Sequence, residues 1–179
     1  MMATAAFKLN KCIGANAATE TDCNKHPCFL SADLVSTATG TYPVAIPSDG
    51  ISGPNYSYEQ WLRMECTLAP NNQVDNIKFY GPNKQPDDPN NKATIYAGTT
   101  ASGVTPKDSQ SSVATVAQHS NYIGTGPGEY LAIGVVPGDD IIDAIGEKTD
   151  YLVLQLKVEY EASSGDLTTT PFAIEYDES

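Results

Sequence analysis

The chain has 179 residues, enough for one domain with a sizeable core, and carries 10 Lys and Arg against 22 Asp and Glu, a net charge of −12. That balance argues against a general nucleic-acid binder, which needs Lys and Arg to neutralise phosphate, and against docking on anionic membrane surfaces. No apolar run reaches the roughly 20 residues needed to cross a bilayer as a helix, and the opening Met1–Asn10 stretch lacks the basic start and apolar run of a secretion signal, so cytoplasmic synthesis is expected.

Residues 1–40 are small and polar, hold three of the four cysteines, and read as an irregular N-terminal arm or loop segment. Residues 41–179 read as one β domain. Tyr42–Ile46 is a short extended segment that Pro43 places at a sheet edge or strand start. Residues 47–55 are turn-rich, with Ser48-Asp49-Gly50 and Ser52-Gly53-Pro54 as breakers. In Gln60–Leu68, Leu62, Met64, Cys66 and Leu68 alternate with Trp61, Arg63, Glu65 and Thr67, the period-two pattern of a strand. Val74–Tyr80 follows as a strand with Ile77 and Phe79 on one side. Residues 81–91, rich in Pro, Asp and Asn, read as an exposed loop, and Ala93–Ala97 as a further strand. Residues 102–120 form a long polar connection, and Tyr130–Val136 is the next strand candidate. Residues 139–146 fit either a short helix capped by Asp139 or a strand through Ile141 and Ile142.

The clearest element is Tyr151–Tyr160. Leu152, Leu154, Leu156, Val158 and Tyr160 occupy alternate positions, with Gln155, Lys157 and Glu159 between them. One face is expected to be buried and the other largely wet, on a strand of roughly 33 Å. Phe172, Ile174 and Tyr176 mark the last strand. Seven or eight strands with almost no helical periodicity predict an all-β fold, an antiparallel β-sandwich or jelly roll.

Four constellations invite a chemical reading. Cys12, Cys23, His26 and Cys28 have zinc-binding residue types, but their spacing fits no zinc motif; free thiols, or a disulfide between Cys23 and Cys28, are the alternatives. Cys66 is expected to face inward as a small hydrophobe. The acidic pairs Asp87-Asp88, Asp139-Asp140 and Asp177-Glu178 could offer oxygen ligands to calcium, yet none sits in a calcium-loop motif, so solvated turns are expected. The only histidines are His26 and His119, and no hydrolase, metalloprotease or phosphate-loop motif is present, so no catalytic residue, cofactor or metal is assigned and the chain is expected not to be an enzyme. Tyr56, Tyr58 and Trp61 sit together where a loop enters a strand, and could stack on a sugar or anchor a protein partner; the alternative is that Trp61 packs over a sandwich edge. The sequon Asn55-Tyr56-Ser57 fits a chance match.

Three segments taken in order, Asn55–Leu62, Asn76–Tyr80 followed by Thr94–Thr100, and Lys148–Leu156 followed by Ile174–Glu178, resemble small β-rich virion structural proteins of tailed bacteriophages and prophages. The resemblance spans roughly residues 42–178 and leaves out the cysteine-bearing start. It implies a non-enzymatic particle component, such as a capsid decoration, minor capsid or tail protein, located in the virion after synthesis in the host cytoplasm. Its expected partners are other virion proteins and further copies of itself, with no direct nucleic acid and no membrane. A carbohydrate-binding β-sandwich module is the alternative function, with Tyr56, Tyr58 and Trp61 as its shelf.

Overall fold

A computed structural model describes residues 4–23, 29, 44–80, 92–100, 131–136, 140–162 and 172–179. The fold is all-β and built from antiparallel sheets. Its strands are β1 (Ala6–Ile13), β2 (Thr19–Asp22), β3 (Asn55–Tyr56), β4 (Gln60–Leu68), β5 (Val74–Tyr80), β6 (Ala93–Thr100), β7 (Leu131–Ala132), β8 (Val135–Val136), β9 (Lys148–Thr149), β10 (Tyr151–Val158) and β11 (Ala173–Glu178). The connections that would define a jelly roll run partly through residues outside those described.

The larger sheet has eight strands. Its spine is the pair β4 and β10. β1 lies along the full length of β4, from Ala6 opposite Leu68 to Cys12 opposite Trp61, and β2 closes that edge. β6 runs along the other side of β10 through eight register pairs, Tyr151 with Thr100 to Val158 with Ala93. β3 continues the line of β4, pairing Tyr56 with Lys157, and β9 continues the line of β10, pairing Lys148 with Glu65. Between β3 and β4 the register slips by one residue. There the Ser57 hydroxyl accepts the Leu156 N–H and the Ser57 carbonyl accepts Gln155 Nε2, so a side chain completes the interrupted ladder. The smaller sheet has the order β11-β5-β7.

Alternation places the main core on one face of the larger sheet. Leu62, Met64 and Cys66 from β4, Leu152, Leu154, Leu156 and Val158 from β10, and Ile95 and Ala97 from β6 pack with Val74, Ile77 and Phe79 of β5. Each Val, Leu, Ile, Met or Phe among them stabilises the fold by about 1.5–3 kcal/mol when fully buried. The even positions of the strongest sequence pattern therefore form the core as predicted, although Tyr160 lies past the end of β10 and is half-exposed.

Two expectations are corrected. The opposite face of β10 is not wet: Tyr151, Val153 and Gln155 are buried, and a second apolar cluster of Cys12, Ala17, Trp61, Tyr151 and Val153 lies there. The first forty residues are not uniformly irregular either: β1 is an interior strand between β2 and β4, joined to β2 through a short 3-10 turn at Ala15–Ala17. Its alternation escapes notice because Lys11, an ionisable residue, occupies a fully buried position. Gly14, at φ 76, supplies the left-handed conformation that turns the chain out of β1. Within the described residues 140–146 the chain takes the extended alternative: Ile142 makes an isolated bridge with Val74 and a turn follows, while Asp139 lies outside the described residues.

Candidate functional site

The densest polar constellation lies on the outer face of β1, β2, β4 and β9. Glu20 and Glu65 are its anions; Lys8, Arg63 and Lys148 are its cations. Lys148 Nζ is 2.7 Å from Glu20 Oε2 and 3.6 Å from Glu65 Oε2. Lys8 Nζ is 2.9 Å from Glu65 Oε1, and Arg63 is 3.5 Å from Glu20 Oε1. Asn10, between them, donates its amide to Glu20 at 3.1 Å and to Glu65 at 2.9 Å. Arg63 is fixed further by donating Nε to the Thr149 carbonyl at 2.7 Å and by lying 4.7 Å over the Tyr151 ring.

The hydrogen bond from Lys8 holds the Glu65 carboxyl below the usual carboxylate range, and the one to Glu20 holds the Lys148 ammonium above its usual value. All four carboxylate oxygens already accept donors from this cluster. The arrangement ties four strands in register and presents no uncommitted acid or base for catalysis.

Beneath this network Trp61 is 0 % exposed. Its indole donates to Glu59 Oε2 at 2.9 Å, and its ring meets Tyr151 edge-on at 5.4 Å. Tyr56 is buried on β3, and burial raises its hydroxyl pKa; Tyr58 is half-buried. The trio Tyr56, Tyr58 and Trp61 is thus close in sequence but does not offer a shelf of exposed rings. A buried indole has no face for a sugar to stack on. The sequon is likewise committed inside the fold: Ser57 is buried with its hydroxyl bonded, and Asn55 donates to the Ala45 carbonyl at 2.8 Å.

The cysteines separate. Cys66 lies in the main core and Cys12 in the outer cluster, on opposite faces of the sheet. Cys23 is half-buried against the main core, its N–H bonded to the Leu9 carbonyl. Cys28, and with it the Cys23–Cys28 disulfide, lies outside the described residues, as do His26, His119, Asp87, Asp88 and Asp139. No group of three or more His, Cys, Asp or Glu with metal-site geometry occurs among the described residues. Burial first, and the Glu20 carboxylate second, push the Cys12 thiol up to about 12, and burial raises the Cys66 thiol too. Both thiols are therefore expected to resist a maleimide or aromatic disulfide reagent in the native protein and to react on unfolding, read by intact mass and peptide mapping. Labelling of Cys12 at the rate of a free peptide thiol would contradict the burial described.

Two remaining acids behave differently from one another. Asp177 accepts from Asn76 at 2.7 Å and Glu178 from the Ala5 N–H at 3.0 Å, tying β11 to β5 and to the start of the chain. Asp150 has a buried Oδ1 without a hydrogen-bond partner, and its other oxygen crowds Gly134: an added Cβ there would lie 2.6 Å from Oδ2. Burial, reinforced by Asp140, raises the Asp150 pKa against the pull of Arg63. Its contribution to stability is greatest below the ordinary value of 3.8 and is lost as pH rises through the raised one.

Sequence reasoning missed Lys8, Asn10, Glu20, Arg63 and Lys148 as a group. The alternation Arg63-x-Glu65 places those two on one face, but their partners come from strands whose register only the folded sheet sets. No protein-family model, no curated protein and no solved structure matches the chain.

Proposed function

We propose that the protein is a non-enzymatic structural component of a phage or phage-like particle, a capsid decoration, minor capsid or tail protein acting through protein–protein packing. The observation that carries this is the placement of its exposed apolar side chains. Ile51 is 96 % exposed at the tip of a turn, with Tyr160 exposed beside Gly50 of that turn and Ile46 exposed on the segment leading into it. Ile145 is 66 % exposed at another turn, with Leu68 close by on β4. The register of β4 with β10 and β9 sets these two groups at opposite ends of the larger sheet.

Both turns are braced. Asp49 Oδ1 accepts the N–H groups of Ile51 and Ser52, and Glu147 Oε2 accepts those of Asp143 and Ala144. An apolar side chain on a braced turn loses little conformational freedom when a neighbour covers it. The −12 charge favours a position away from packaged DNA, on the outer side of the particle. The carbohydrate alternative has less support, because Trp61 is buried and presents no ring face.

The test is native mass spectrometry and light scattering of the purified chain across a concentration series, with Ile51→Asp and Ile145→Asp. The wild type is expected to self-associate. Each variant is expected to shift association to at least about tenfold higher concentration, with thermal midpoints unchanged, because the side chains are exposed in the free chain. A wild type that stays monomeric throughout the series and does not co-sediment with the particle would overturn the proposal.

A further inference from the structure

We propose that the Glu20–Glu65 cluster is an acid-sensitive clasp that holds the β1–β2 edge on the sandwich and releases it, ahead of the rest of the fold, when both carboxylates are protonated. The inference begins with how little else holds β2. It has four residues, stands at the end of the sheet, and pairs with β1 alone among the described strands. Glu20 is its side-chain link to the interior strands. Through Lys148 it reaches β9, through Arg63 it reaches β4, and through Asn10 it reaches β1.

The groups facing the two carboxylates come from every strand around them. β1 supplies Lys8, Asn10 and the Cys12 thiol, β4 supplies Arg63, and β9 supplies Lys148; Tyr151 of β10 reaches the cluster through Arg63, 3.4 Å from its hydroxyl. With both carboxylates ionised, three cations face two anions. With both protonated, Lys8 and Lys148 lose their counter-charge and Arg63 keeps only the neighbouring Asp150 carboxylate, while Lys148 and Arg63 are half to largely buried. Like charges held that close in a partly desolvated site repel. The strain falls on the outermost strand, four residues long.

The depressed Glu65 pKa gives the direction. A carboxylate held below its ordinary value of 4.5 contributes stability that is present above that value and is lost as pH falls through the folded one. The clasp is therefore closed at neutral pH and opens on the acid side. At the β6–β10 edge one carboxylate, Glu159, pairs with Lys157 and, at 4.0 Å, with Lys92 at the strand ends, while the ladder itself is held by eight register pairs and the main core. The two edges of the same sheet thus differ in their response to acid.

Hydrogen exchange with mass-spectrometric readout, corrected for intrinsic rates, tests this between pH 7 and pH 3 on the full chain. Peptides covering residues 5–23 are expected to lose protection by about tenfold or more below the carboxylate range while β6 and β10 stay protected. In Glu20→Gln/Glu65→Gln the same peptides are expected to exchange fast already at neutral pH and to show no further acid step. Lys148→Gln, which removes a cation that favours the ionised Glu65 carboxylate and leaves both acids, is expected to move the step to higher pH. It keeps the test decisive if the double variant does not fold. Loss of protection by β1, β2, β6 and β10 together, or an unmoved step in Lys148→Gln, would overturn the proposal.

Discussion

Replacing Val153 with aspartate is expected to unfold the protein, or to cost at least about 3 kcal/mol, read as a fall in the denaturant midpoint at unchanged slope. Val153 is 0 % exposed on the outer face of β10, in the cluster with Trp61, Cys12 and Ala17. A carboxylate there would have no water, and the strand offers it no partner of opposite charge on the pattern Tyr151, Val153, Gln155. The same change at Tyr160, two residues past the strand and half-exposed, is expected to stay within about 0.5 kcal/mol. If Val153→Asp were as mild as Tyr160→Asp, the outer face would be the wet face that alternation alone suggests, and the second core would not exist.

Trp61→Ala is expected to destabilise by about 3–5 kcal/mol, the range for truncating a large buried aromatic. Three losses combine. The indole volume empties from the outer cluster, the edge-on contact with Tyr151 disappears, and Glu59 loses the N–H donor at 2.9 Å. Trp61→Phe separates them, since it keeps most of the packing and removes only the hydrogen bond. Its cost is expected to be smaller, about 1–3 kcal/mol. Equal costs for the two variants would place the whole effect in the hydrogen bond to Glu59. Trp61→Ala is therefore no test of glycan binding. Lost binding in that variant would follow from lost folding, so a glycan screen is informative only on the wild type or on exposed positions.

The strands with clean alternation were legible in the sequence. β4, β5 and β10 fall within the predicted segments, β11 covers the predicted Ile174 and Tyr176, β6 runs on from the predicted Ala93–Ala97 to Thr100, and Leu62, Met64, Cys66, Leu152, Leu154, Leu156 and Val158 all point into the main core. β1 and β2 were not legible. In β1 the apolar positions Phe7 and Leu9 are followed on the same face by Lys11, and in β2 all four residues are Thr, Glu or Asp. Neither pattern announces a strand, because what holds them is pairing with β4 and the ion network, which are long-range. The aromatic trio illustrates the opposite error. Tyr56, Tyr58 and Trp61 are neighbours in sequence, but a strand start and a one-residue register slip lie between them, and Trp61 ends up beneath the network of Glu20 and Arg63.

Composition and alternation by themselves determined that this is an acidic all-β protein and which side of its strongest strands forms a core, because the pleat fixes the direction of alternate side chains from local geometry alone. Whether the other side meets water is not a local property. It depends on what packs over the sheet, so only the tertiary structure decided that Trp61 and Val153 are buried there. The same holds for the charges. Glu20 and Lys148 are 128 residues apart in sequence, and they meet because β2, β1, β4 and β9 pair in one register. No period in the chain encodes that meeting.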